Sequence, residues 1–323
     1  MSRSEELRVS AGKVNLAGTL TLPDEPALPD RRGRYPNVLL LPSWLPRNRN
    51  GTYDRASHPT WFSPAPLPPG LLARLAEALA GHGVASLRCD ARGSGDSEGS
   101  WEQADLFTRI DDARDMLGAM RGHGALDLRR TGIVGHGEGA GVALAVAIGD
   151  PAVSALTLIG AAARSWRDVL RRAVAARGRD GGDRRHPIVA AIDRWSEDLI
   201  ERAERREGSF ELYLGRGERV TMALAGIEQA INTPPLALAT MLHRSVGLVH
   251  GTDDLWVDPD ESRLLAAAFG GEGAVQPRLV SNAGHDLDEA SDELIDELAA
   301  DLAARLVPRE LPPVLVAIDE MER

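Results

Sequence analysis

Apolar and polar residues alternate through Leu7, Val9, Val14, Leu16 and Leu20, with Gly18 among them, the period of two expected of a half-buried antiparallel hairpin. Residues 23–34 then read as a loop. Residues 37–41 form a nearly unbroken apolar run, as in a strand covered on both faces, and residues 71–80 follow with helical spacing. Strands over 84–88, 131–134, 155–159, 245–250 and 277–280 continue the pattern, interleaved with helices over 101–121, 138–148 and 291–306. This alternation predicts an α/β fold with a mostly parallel, doubly wound sheet. It stops between Gly160 and His243, where an Arg- and Ala-rich stretch has helical spacing. The reading is an inserted helical lid over 161–243, with 1–160 and 244–323 as the core. Glycines among charges over 177–185 mark a joint between two lid helices. The end of the chain, PRELPPVLVAIDEMER, reads as a surface tail, with pairing to an edge strand or to a second subunit in a homodimer left open.

Composition narrows the function classes. The chain has 323 residues, 43% hydrophobic and 26% charged, an ordinary balance for a soluble globular protein with a large core and one insertion. No apolar run approaches the roughly 18 to 20 residues of a membrane span, so no membrane partner is expected. The polar opening MSRSEELRVS is not followed by an apolar stretch of the kind that directs export, and the cytoplasm is the expected location. A net charge of −11 with scattered arginines disfavours nucleic acid. Cys89 is the only cysteine, which excludes an intrachain disulfide and a thiolate-rich metal site. No H-E-x-x-H spacing or carboxylate cluster suggests a metal, and Gly135, Gly137 and Ala140 break the dinucleotide fingerprint at its last position, so no cofactor is expected.

The chemistry gathers at the ends of the strands. Gly135-His136-Gly137-Glu138-Gly139 lies directly between a strand and a helix, the setting of the nucleophile elbow G-x-S-x-G, with glycine in the serine position. Gly251-Thr252-Asp253-Asp254 follows the strand ending at His250, and Gly284-His285-Asp286 follows the next one. Elbow, acid and histidine thus occur in the order this architecture requires, with the G-x-x-D spacing favouring Asp254 over Asp253. Asp90-Ala91-Arg92-Gly93-Ser94-Gly95-Asp96-Ser97 adds a D-x-R-G-x-G-x-S turn after the third core strand.

On these motifs the chain resembles the α/β-hydrolase superfamily, in its esterase and serine-aminopeptidase-like branch with G-H-S-E-G elbows, from about residue 9 to 306 apart from the lid. The resemblance implies an oxyanion hole built from backbone N–H groups of Glu138 and of Ser43 or Trp44. The segment VLLLPSWLPRNRNG is similar to that branch's oxyanion loop: Pro46 and Arg49 fit, whereas Asn48 and Asn50 stand in place of aspartates and Pro42-Ser43-Trp44-Leu45 in place of a Gly-rich turn.

Gly137 has no side chain to attack a carbonyl, so ordinary acyl-enzyme chemistry requires a substitute. Ser43 and Cys89 are the nearby candidates, but Ser43 falls on the oxyanion loop and Cys89 at a strand end where a small core residue is normal. Asp254 and His285 still make a general base. His136 reads as structural or as part of the pocket wall, and the Glu138 side chain as a partner for Arg92 or Arg49. Six tryptophans outnumber four phenylalanines and three tyrosines, and Trp44, Trp166, Trp195 and Trp256 fall on segments expected to line the pocket. The leading reading is a tailoring enzyme of specialised metabolism, using His285 and Asp254 on a bulky aromatic or polycyclic small molecule without an acyl-enzyme: cyclisation, C–C bond formation or cleavage, or cofactor-free oxygenation. The alternatives are a serine esterase, thioesterase or peptidase carrying an introduced serine-to-glycine change, and a non-catalytic ligand-binding protein on a degenerate hydrolase fold.

Overall fold

A computed structural model describes residues 2–24, 32–54, 70–179, 187–205, 207–215, 218–223, 232–269 and 275–308. The chain opens with a hairpin of β1 (Ser2–Ala11) and β2 (Val14–Pro23), followed by β3 (Tyr35–Leu41), α1 (Leu71–Gly81), β4 (Ala85–Cys89), α2 (Leu106–Arg121), β5 (Leu126–His136), α3 (Glu138–Gly149) and β6 (Val153–Ile159). After an inserted segment come β9 (Ser245–Gly251), α7 (Asp260–Ala268), β10 (Arg278–Val280) and α8 (Asp292–Arg305). Together β1–β6, β9 and β10 form one eight-stranded sheet in the order β1-β2-β4-β3-β5-β6-β9-β10. The hairpin β1–β2 and its pairing with β4 are antiparallel, and every other pairing in this sheet is parallel.

The apolar runs of the central strands follow from burial on both faces. On β3, Leu39 and Leu41 pack with residues of α2 and α3, while Val38 and Leu40 pack with α1 and α8. Pro36 lies where the β3–β5 register shifts between Tyr35 and Asn37, a place where its missing N–H costs no ladder bond. The neighbouring Asn37 side chain donates to the Asp127 carbonyl at 2.8 Å, satisfying a buried amide at the irregularity.

Three elements differ from the sequence reading. Helix α2 begins at Leu106 rather than near Trp101, because Asp105 is its N-cap, accepting from the Thr108 N–H at 2.7 Å. Helix α7 stands in a stretch for which periodicity gave no element. The inserted segment is not wholly helical: α4 (Trp166–Arg179) and α5 (Pro187–Glu204) are followed by an antiparallel hairpin of β7 (Ser209–Gly215) and β8 (Glu218–Ala223), then α6 (Pro235–Ala239). Phe210 pairs with Met222 and Leu212 with Val220, an alternation of period two that the surrounding Arg- and Ala-rich helices obscured. Most of the glycine-bearing joint and the tail lie outside the described residues. No helix among the described residues is long and apolar enough to cross a membrane.

Because β3 carries core on both faces, truncation on either face creates a cavity. Leu39→Ala and Leu40→Ala are each expected to cost about 2–5 kcal/mol in urea denaturation. A near-neutral result for either would mean that one face of β3 is not packed.

Candidate active site

Strand order reverses between β3 and β5, and in open α/β sheets ligands bind beyond the carboxyl ends of the strands at that point. The loop after β3 carries Ser43, the turn after β5 carries Gly137, and the loops after β9 and β10 carry Asp254 and His285.

At the β5–α3 turn, Gly137 adopts φ 56° and ψ −119°, a left-handed conformation that glycine reaches without steric cost, and its N–H donates to the Ile159 carbonyl at 2.8 Å. The turn is tight enough that a β-carbon on Gly135 would lie 2.4 Å from the Gly139 carbonyl oxygen. A β-carbon on Gly137 would lie 2.2 Å from Ser43 Oγ and 2.8 Å from His285 Nε2. The volume over Gly137 is therefore already filled by Ser43.

Asp254 is buried and Asp253 exposed, which settles which aspartate faces the site. One Asp254 oxygen accepts from the N–H groups of Trp256 and Val257 at 2.8 and 2.9 Å; the other lies 2.7 Å from His285 Nδ1 and 3.2 Å from His250 Nε2. Burial alone would raise the Asp254 pKa, but the His285 ring and these hydrogen bonds hold it far below the ordinary carboxylate range. The ionised carboxylate in turn outweighs the effect of burial on His285 and holds the imidazole pKa above its ordinary 6.5. With Nδ1–H donated to Asp254, Nε2 is the basic nitrogen, and Ser43 Oγ lies 3.4 Å from it.

Two arginines fix the loop after β3. Arg47, 2% exposed, lies 2.9 Å from Asp286, donates to the Gly51 carbonyl at 2.7 Å and stacks 4.1 Å above the Tyr53 ring centroid. Burial would weaken its charge, yet Asp286 keeps its pKa above the ordinary arginine value. Arg49 binds Asp90 through its backbone N–H and its guanidinium, at 2.6 and 2.7 Å. Asp90 also accepts from the Asp96 N–H at 3.0 Å, so the D-x-R-G-x-G-x-S turn serves as an anchor for this loop. Asn48, where the resemblance led to an expected aspartate, still turns the chain by accepting from the N–H groups of Asn50 and Thr52 at 3.0 and 3.3 Å.

The other expected site residues have the following surroundings. His136 is only 1% exposed, and it donates to the His285 carbonyl at 2.9 Å. Burial, with the neighbouring His285 charge, lowers its pKa to about 3, so it stays neutral. The Glu138 side chain pairs with Arg109 at 3.5 Å rather than with Arg92 or Arg49, and burial raises its pKa. Its N–H begins α3, where no partner within the helix is available. Trp44 stacks obliquely on buried Trp101 with ring centroids 5.8 Å apart, and half-buried Trp166 and Trp256 pack on Ala162, Val169 and Val257. The Trp195 side chain lies outside the described residues. Cys89 is buried in the core, its thiol pushed up to about 12 by burial, and so is no nucleophile.

His136, His285 and Asp286 bring potential metal-ligating atoms within 4.8 Å of one another. The Arg47 guanidinium already supplies the positive charge beside Asp286, and a cation there would have to displace it. His250, buried with Nδ1 2.6 Å from Ser262 Oγ, and the Arg47–Asp286 pair escaped the sequence reading. His250 stood in plain view as the last histidine before the acid turn, but Arg47 offered no signal beyond its proximity to Arg49.

The profile of a family described as serine aminopeptidase, S33, matches residues 69–289. No curated protein sequence matches the chain. Among solved structures, Est1E from Butyrivibrio proteoclasticus with ferulic acid bound is similar at 15% identity and a TM-score of 0.63, covering 93% of this chain and 98% of its own. The α/β hydrolase GrgF from Penicillium sp. sh18 is similar at 16% identity and a TM-score of 0.61, covering 94% and 99%. Mouse α/β hydrolase domain-containing protein 10 is similar at 19% identity and a TM-score of 0.60, covering 94% and 100%. At these identities the likeness concerns the fold, which is the α/β-hydrolase fold.

Breaking the Arg47–Asp286 pair from one side leaves an aspartate largely out of water without a counter-charge. Arg47→Met is expected to destabilise the protein by about 3 kcal/mol, and Arg47→Met/Asp286→Leu to recover most of that loss, as read by urea denaturation. A single variant as stable as the parent would mean that the pair does not hold the loop.

Proposed function

The chain belongs to the serine aminopeptidase S33 family, and from that premise we propose that it is an esterase-like enzyme in which His285, oriented by Asp254, is the general base. The observation that carries this reading is the 2.7 Å contact of His285 Nδ1 with Asp254, which leaves Nε2 facing the space over Gly137. A base so placed needs only a proton-bearing nucleophile within reach, a hydroxyl or a water. The N–H groups of Glu138 and of Ser43 or Trp44 are the donors for the oxyanion that forms at the attacked carbonyl. The substrate is a small molecule, and half-buried Trp44, Trp166 and Trp256 favour one with an aromatic or otherwise bulky flat part.

The bare Gly137 backbone favours a second reading, general-base tailoring chemistry in specialised metabolism with no acyl-enzyme: cyclisation, C–C bond formation or cleavage, or cofactor-free oxygenation. Either reading uses the same base. A serine introduced at position 137 would collide with Ser43 as it stands, which supports a site adapted to glycine there over one recently disabled by substitution.

His285→Ala is expected to reduce hydrolysis of aryl esters by at least ~10³-fold. Turnover unchanged in that variant would sink the general-base reading.

The pH dependence has a definite sign. The base must be unprotonated, and its pKa is held above 6.5, so kcat/KM should rise with pH through a midpoint above that value. Asp254→Asn removes the carboxylate and leaves burial dominant, so it should move the midpoint below 6.5 while lowering the rate. A midpoint that does not move would show that Asp254 does not set the basicity of His285.

A further inference from the structure

We propose that Ser43, on the loop after β3, is the nucleophile of this enzyme, and that Gly137 is glycine so that Ser43 can occupy the place of an elbow serine. The inference rests on the general-base reading and names the group that the base activates. Three observations converge on it. Ser43 Oγ lies 3.4 Å from His285 Nε2, the nitrogen left basic by the Asp254 contact; free enzymes commonly show this spacing before substrate tightens it. The same oxygen lies 2.2 Å from where a β-carbon on residue 137 would stand, so it already takes up side-chain space at the tip of the turn, beside the N-terminus of α3. With the Ser43 hydroxyl in this position, a side chain at 137 would collide with it. Finally, Ser43 sits on a loop pinned at both Arg47 and Arg49, with the backbone bridge between Arg47 and Tyr53 closing a small hairpin below it. A nucleophile requires that kind of fixed placement, whereas a surface serine does not.

The step follows the usual acyl-transfer balance with the attacking oxygen supplied from a different strand. Ser43 Oγ forms a bond to the carbonyl carbon of a carboxylic ester as its proton passes to His285 Nε2. The resulting oxyanion collapses, the carbon–oxygen bond to the alcohol breaks, and the alcohol takes the proton from His285. Water then attacks the acyl-Ser43 carbonyl and gives a proton to His285. The bond to Oγ breaks, the acid leaves, and the proton returns to Ser43. The substrate class is a carboxylic ester, with catalytic residues in the chain order Ser43, Asp254, His285. The contribution of β5 is reduced to its turn backbone and the first N–H of α3.

A fluorophosphonate probe tests the nucleophile directly on the unmodified protein. We expect one covalent adduct per chain, mapped to Ser43 by peptide mass spectrometry. An adduct on another residue, or no adduct, overturns the proposal. In parallel, Ser43→Ala should lose labelling and reduce hydrolysis of 4-nitrophenyl butyrate by at least ~10³-fold, with a melting temperature close to that of the parent. Gly137→Ala, which pushes a methyl group into Ser43, should also reduce labelling; unchanged labelling there contradicts the exchange of space. If Ser43→Ala keeps its hydrolysis while His285→Ala loses it, Ser43 is not the nucleophile and the general-base reading stands. If both variants keep their hydrolysis, both readings fall.

Discussion

The ion pair between buried Arg47 and half-buried Asp286 ties together two of the loops at the candidate site. Asp286 immediately follows His285, and Arg47 lies four residues after Ser43, so a single 2.9 Å contact sets the loop after β3 against the loop after β10. Removing a guanidinium from water costs several kcal/mol, and the carboxylate, the Gly51 carbonyl and the Tyr53 ring face together offset it. Such a pair is a weak source of net stability compared with an apolar replacement. Its value lies in geometry: it accepts one arrangement of the loops and makes others expensive. His136 reinforces that arrangement by holding the His285 carbonyl, and its low pKa keeps a positive charge from forming on it 4.8 Å from the His285 ring.

The same logic explains why Asp254 is so well supplied with hydrogen bonds. Two backbone N–H groups and His250 take up the capacity of the carboxylate that His285 does not use. These contacts hold the Asp254 pKa well below the ordinary carboxylate range, and the His285 ring is held with one nitrogen committed and the other available. His250, Trp256 and Val257 all belong to β9 or the loop that follows it, so Asp254 is held by its own loop, and only His285 reaches it from the next strand.

Local sequence carried the parts of this arrangement that are written locally. The central strands were legible because burial on both faces leaves an unbroken apolar run, and Asp254 and His285 because each follows its strand in a short motif. The β7–β8 hairpin was not, since its alternation is brief and embedded among arginines and alanines that favour helix. The start of α2 depended on the cap Asp105, one carboxylate in a polar stretch. Least legible was the meeting of Ser43 with His285, 242 residues apart in sequence: the motif around Ser43 predicts a loop, but no spacing within it says that its hydroxyl reaches over Gly137.

The glycine in the elbow has a different meaning when it is considered with its neighbour. Taken alone, an elbow without a serine is a lost activity, and the persistence of Asp254 and His285 then needs a new chemistry to explain it. Considered with Ser43 as proposed, the absence has a steric meaning, because a β-carbon on residue 137 would collide with the Ser43 hydroxyl where it now stands. The histidine is indifferent to which strand delivers the oxygen, since proton transfer depends on distance and direction at Nε2 and not on chain connectivity. What the elbow retains is its sharp backbone, with Gly137 at φ 56° and ψ −119° directly before the first turn of α3, whose N–H groups have no partner within the helix. On the proposal for Ser43, nucleophile and oxyanion donors come from separate elements, an arrangement that requires the loop bearing the nucleophile to be anchored firmly, as the contacts of Arg47 and Arg49 anchor the loop after β3.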